Sequence, residues 1–96
     1  MNNKMKMINA LISQIPNTIL VYNSYDRKLY KTGNYTIEIT VKSEDDIMGF
    51  YSVIEHDEPY IVNGLQVPNF WDVDAGYITT RTDPVALVTR ITNILD

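Results

Sequence analysis

From Tyr35 to Lys42 the chain alternates, with Tyr35, Ile37, Ile39 and Val41 on one face and Thr36, Glu38, Thr40 and Lys42 on the other. That period of two is the mark of a half-buried strand. A strand with one wet face belongs to an antiparallel sheet packed on one side, so other elements must cover Ile37 and Ile39. Helical spacing at both ends of the chain supplies them. Met7, Ile8, Leu11, Ile12 and Ile15 recur at intervals of three and four, which predicts a helix over residues 4–14 with one apolar stripe. Pro16 ends it, because proline lacks an amide donor and disfavours the helical conformation for Ile15. Near the other terminus, Leu87, Val88, Ile91, Ile94 and Leu95 form a second stripe behind Asp83-Pro84. Asp83 can cap the free amides and Pro84 has the backbone angle favoured at a first helical position, so a helix over 84–95 is predicted.

The middle of the chain is rich in strand-forming residues. Thr18–Asn23 is β-branched and aromatic, which predicts a strand buried on both faces. Arg27–Lys31 is expected to pair with 35–42 across a turn at Gly33. Ser43-Glu44-Asp45-Asp46 has the form of a helix capping box, but Gly49, Phe50, Tyr51, Val53 and Ile54 favour a strand over Met48–Glu55, with the acidic run as a hairpin tip. His56-Asp57-Glu58-Pro59 predicts a reversal, and Asn63-Gly64 a tight hairpin joining 60–62 to 65–67, with Pro68 ending the pairing. Residues 69–76 show no period and are expected to be a loop, followed by a last strand over 77–82. The sum is a single α+β domain over residues 1–96, an antiparallel sheet of about five or six short strands with both helices packed on one face.

Composition narrows the function classes. The chain has 96 residues, 45% of them apolar, enough for one small core. Without cysteine there is no disulfide, thiolate metal site or cysteine nucleophile. The apolar runs are far shorter than the roughly 18 residues of a membrane span, and a cytoplasmic protein is expected. Residues 1–48 carry six Lys/Arg against five Asp/Glu, and residues 49–96 two against seven. This acidity disfavours nucleic acid as a partner. Arg27, Lys28 and Lys31 beside Tyr25 and Tyr30 form the one basic and aromatic mixture, and three charges in an acidic chain fit a solvated hairpin face better than a nucleic-acid groove.

His56, Asp57 and Glu58 with Asp72 and Asp74 form the only cluster suited to a metal or to acid-base chemistry. Their spacing matches no ligand rule, so no catalytic residue, metal or cofactor is expected; a metal-dependent hydrolase using His56 with Asp72 or Asp74 is a distant alternative. The four glycines are isolated, which leaves no phosphate-binding loop. Seven tyrosines, Trp71 and two phenylalanines point instead to protein contact, where aromatic residues are enriched. Phe70 and Trp71 stand out as a large apolar pair in an expected loop. With Asp72, Asp74, Asp57 and Glu58 they are the candidate protein-binding residues, suited to a partner with a basic surface. The function expected is a non-enzymatic binding module, an inhibitor, antagonist or adaptor of the phage-borne or immunity type. The alternative is an assembly subunit forming homo-oligomers through a sheet edge or a helix stripe.

Overall fold

Residues 2–96 are described by a computed structural model. The chain runs α1 (Asn3–Ser13), β1 (Ile19–Asn23), β2 (Arg27–Thr32), β3 (Tyr35–Glu44), β4 (Ile47–Val62), β5 (Leu65–Thr79) and α2 (Pro84–Leu95). All five strands form one antiparallel sheet in the order β1-β2-β3-β4-β5. One face of that sheet, with Ile37, Ile39, Tyr51, Val53 and Ile78, packs against Met5, Ile8 and Ile12 of α1 and Leu87, Val88 and Ile91 of α2. The α+β architecture with terminal helices is therefore as the sequence predicts. Among the described residues no helix is long and apolar enough to cross a membrane.

Both helices have defined ends. Asn2 caps α1 through its side chain, which accepts the Met5 amide at 2.9 Å. Asp83 accepts the Val85 amide at 3.3 Å, with Pro84 at the start of α2. Lys4 ties α1 to the end of β5 by donating to the carbonyls of Thr79 at 3.2 Å and Thr80 at 2.7 Å. Inside the core, Asn9 is buried: its amide donates to the Met5 carbonyl at 2.9 Å, and its oxygen accepts the Tyr30 hydroxyl at 2.6 Å. Both ends of the Asn9 amide thus find a partner, as burial demands, and Tyr30 fixes α1 against β2. The same burial raises the Tyr30 hydroxyl pKa above the ordinary value.

Three sequence expectations are corrected. β1 is exposed at all five positions rather than buried on both faces, because it is the sheet edge and the helices cover the strands further in. Residues 56–59 are not a reversal. β4 runs straight through them for 16 residues. Residues 69–76 are not a loop either, since β5 is continuous from Leu65 to Thr79 and includes Pro68. Proline is tolerated there because β5 is an edge strand and the ladder is interrupted between Asp57 and Tyr60. At a rise of about 3.3 Å per residue a strand like β4 spans roughly 50 Å, which accounts for the 47 Å long axis of the molecule. The radius of gyration, 14.4 Å, correspondingly exceeds the roughly 12.5 Å of a compact chain of this length.

Candidate protein-binding surface

The extra length is an arm. β3 begins at Tyr35, opposite Glu55, so beyond Glu55 strand β4 has β5 as its only strand neighbour and the pair continues as a two-stranded ribbon. Its tip is the Asn63-Gly64 turn, with φ of 49° and 78°. Two successive positive angles make the type I′ turn that matches strand twist, and Asn-Gly is the pair that adopts it at least cost. Midway, Glu58 and Pro59 oppose Pro68 alone, between the pairs Asp57 with Asn69 and Tyr60 with Val67. This is a bulge, and it gathers both prolines at one gap in the ladder. Past it, Tyr60, Ile61, Val62, Leu65 and Val67 are all exposed, Ile61 at 67% and Leu65 at 70%. A lone two-stranded ribbon is marginal in water, and apolar side chains on both its faces gain nothing until something covers them.

The residues marked by sequence occupy the root of this arm but are not all on one surface. Phe70 and Trp71 are neighbours in a strand and point to opposite faces. Phe70 stands across from His56, with ring centroids 5.9 Å apart, and Trp71 across from Glu55. Trp71 is 43% exposed, so it neither plugs the core nor stands free. Asp72 is exposed opposite Ile54, and Asp57 and Glu58 are exposed on the facing strand, where the Asp57 carboxylate accepts the Glu58 amide at 2.8 Å. His56 is held by Thr36, Oγ1 to Nε2 at 3.0 Å. Among the described residues no three His, Cys, Asp or Glu groups are arranged to hold a metal ion.

Asp74 belongs to the fold instead. Its carboxylate receives Nε of Arg90 at 2.7 Å, a second guanidinium nitrogen at 3.0 Å and the Tyr51 hydroxyl at 3.0 Å, and its side chain is only 11% exposed. The hydrogen bond from Arg90 is the largest influence and holds the Asp74 pKa below the ordinary carboxylate value, while burial raises that of Tyr51. A depressed carboxylate pKa contributes stability above its unfolded value, and that stability is lost as pH falls through the folded one. Asp74→Asn should therefore flatten the acid side of the stability profile: between about pH 5 and pH 3 its melting temperature should fall less than that of the native chain. Parallel slopes in thermal melts would refute the coupling. An open groove of about 840 Å³ beside this pair runs between α2 and β5, lined by Tyr51, Asp74, Tyr77, Asp83, Leu87 and Arg90. Its charged side chains are engaged with each other or with the α2 cap.

A second apolar surface lies at the opposite edge of the sheet. Ile19, Leu20, Val21 and Tyr22 of β1 are all exposed, Ile19 at 66%, and among the described residues no strand pairs with their outer side. Lys31 is the register partner of Ile19, and Lys28 that of Asn23, so a lysine brackets each end of the strand. Sequence reasoning missed this surface and the arm tip. The signal available was the absence of any charge from Pro59 to Trp71, with apolar residues on both sides of the turn and no polar face. Compared with protein-family models, with curated proteins and with solved structures, the chain matches none.

Proposed function

We propose that this chain is a non-enzymatic protein-binding module that grips its partner through the β4–β5 arm. The observation that carries the proposal is the run of exposed apolar side chains from Tyr60 to Val67 on a ribbon held clear of the core. Such a ribbon offers backbone edges and side chains together, the two elements of strand-mediated recognition. Phe70 and Trp71 at its root supply the aromatic anchors that carry most of the energy in protein contacts. Asp57, Glu58 and Asp72 form an acidic rim, which favours a partner with a basic surface. Action in the cytoplasm, as an inhibitor or adaptor, is part of this reading and accords with a chain that holds no cysteine. The exposed edge at β1 favours a second reading, an assembly subunit, because an apolar sheet edge is a template for pairing with another chain.

The arm can be removed without touching the core. Asp57 and Asn69 are direct partners across the ladder, so residues 58–68 can be replaced by Asn-Gly to close a short hairpin there. The trimmed chain should melt within a few degrees of the native one and lose its cross-links to partner protein, foreign or a second copy. Retained cross-linking would place the binding surface elsewhere.

A further inference from the structure

The arm and the β1 edge are complementary in charge as well as in chemistry. Residues 55–72 hold Glu55, Asp57, Glu58 and Asp72 and no Lys or Arg. Across the sheet, residues 19–32 hold Arg27, Lys28 and Lys31 against the single acid Asp26. Arg27 is taken up by Glu38, with Nε to Oε1 at 3.1 Å, whereas Lys28 donates to the neutral side chain of Asn23 and Lys31 forms no ion pair among the described residues. One chain thus carries an apolar ribbon with an acidic root and an apolar edge strand with uncompensated lysines at both ends.

Resting on the reading that the arm binds protein, we propose that its occupant is a second copy of this chain: the arm of one copy lies along β1 of the next. The lengths agree. Ile19–Tyr22 gives four exposed residues, and the arm presents three on each strand, Tyr60–Val62 and Leu65–Val67. His56 still donates its amide to the Asn34 carbonyl at 2.7 Å; past it, no strand of the described residues pairs with the outer edge of either arm strand, so either can extend the ladder where β1 has no outer neighbour. Whichever arm strand pairs with β1, one of Ile61 and Leu65 lies beside Ile19–Tyr22, and Asp57 and Glu58 come toward Lys28 or Lys31, according to which end of β1 faces the root of the arm. Because the two surfaces are different patches on opposite sheet edges, the contact is head-to-tail. Repeated, it generates a ring if the rotation closes and a filament if it does not.

Two variants test this together. Ile61→Ser with Leu65→Ser removes the apolar arm contact, and Ile19→Glu with Val21→Glu sets acids against the acidic arm; all four positions are exposed, so circular dichroism and melting should stay native-like. By light scattering with sizing at about 100 µM, the native chain should be an oligomer and each variant alone a monomer of 11.1 kDa. Mixed, they should form a one-to-one pair and stop, because the mixture contains one intact arm and one intact β1. A monomeric native chain overturns self-docking while leaving the arm-trimming test of protein binding intact. A native oligomer whose variants stay monomeric on mixing, or persist as oligomers alone, also overturns it, since association then uses other surfaces.

Discussion

Gly49→Ala should destabilise the fold by about 3 kcal/mol, toward the upper end of what overpacking costs. Gly49 lies in β4 opposite Val41 of β3 and Ile78 of β5, so the strand is held on both sides and cannot slide away. A Cβ built there runs into the backbone carbonyl oxygen of Thr40 and comes within 2.9 Å of Cε of Met5. Met5 is fully buried beneath the sheet. A methionine side chain can move, but a backbone carbonyl in a paired strand cannot move without breaking ladder hydrogen bonds. Were chain entropy the only consideration, alanine would instead gain about 0.4 to 1 kcal/mol; the clash is larger and decides the sign. Gly76→Ala is the internal comparison, because its Cβ meets the ring of Tyr51 at 2.9 Å, a side chain rather than backbone, and its cost should be smaller. Urea melts of the two variants check this, and a Gly49→Ala chain within about 1 kcal/mol of native would mean that β3 and β4 separate more easily than their register implies.

The readable parts of the sequence were those where one local pattern had one physical solution. The alternation over Tyr35–Lys42, the Asp83-Pro84 helix start and the Asn63-Gly64 turn all stand in the structure. Met48–Glu55 is strand as expected, within the longer β4. The errors share a cause. Locally, the polar run ending in Pro59 has the form of a reversal and Pro68 that of an end of pairing, yet both prolines sit at one bulge in a two-stranded ribbon, where a missing donor costs little. The apolar residues of β1 predict burial on both faces, but a local window cannot say which strand is last in a sheet. The candidate site was correspondingly half legible. Phe70, Trp71, Asp72, Asp57 and Glu58 lie at the root of the arm, while Asp74 is bound to Arg90, a partner 16 residues away in another element. The arm's existence depends on β3 beginning at Tyr35 while β4 continues past Glu55, a mismatch of strand lengths visible only when the sheet is assembled.

Helix α1 shows the same limit at finer scale, and it yields the other large effect. The stripe of Met7, Ile8, Leu11, Ile12 and Ile15 has the correct period, but the buried line is rotated from it: Met5, Ile8 and Ile12 are fully buried, while Met7 is 51% exposed. Leu11 and Ile15 pack at the margin of the core. The rotation follows from Asn9, which lies outside that apolar stripe and is buried because Tyr30 satisfies it from β2. Ile8→Ala should therefore cost about 4 kcal/mol, the upper part of the range for emptying a fully buried aliphatic site. That is a large share of the roughly 5 to 15 kcal/mol a domain possesses. Leu11→Ala should cost clearly less, because a partly exposed cavity admits water and its neighbours can relax into it. Met7→Ala should stay within about 0.5 kcal/mol of native. The order Ile8, Leu11, Met7 in urea melts is the discriminating observation. Equal losses at Leu11 and Ile8, or a substantial loss at Met7, would mean that α1 packs with the face read from its sequence and that the Tyr30 to Asn9 bond does not set its rotation.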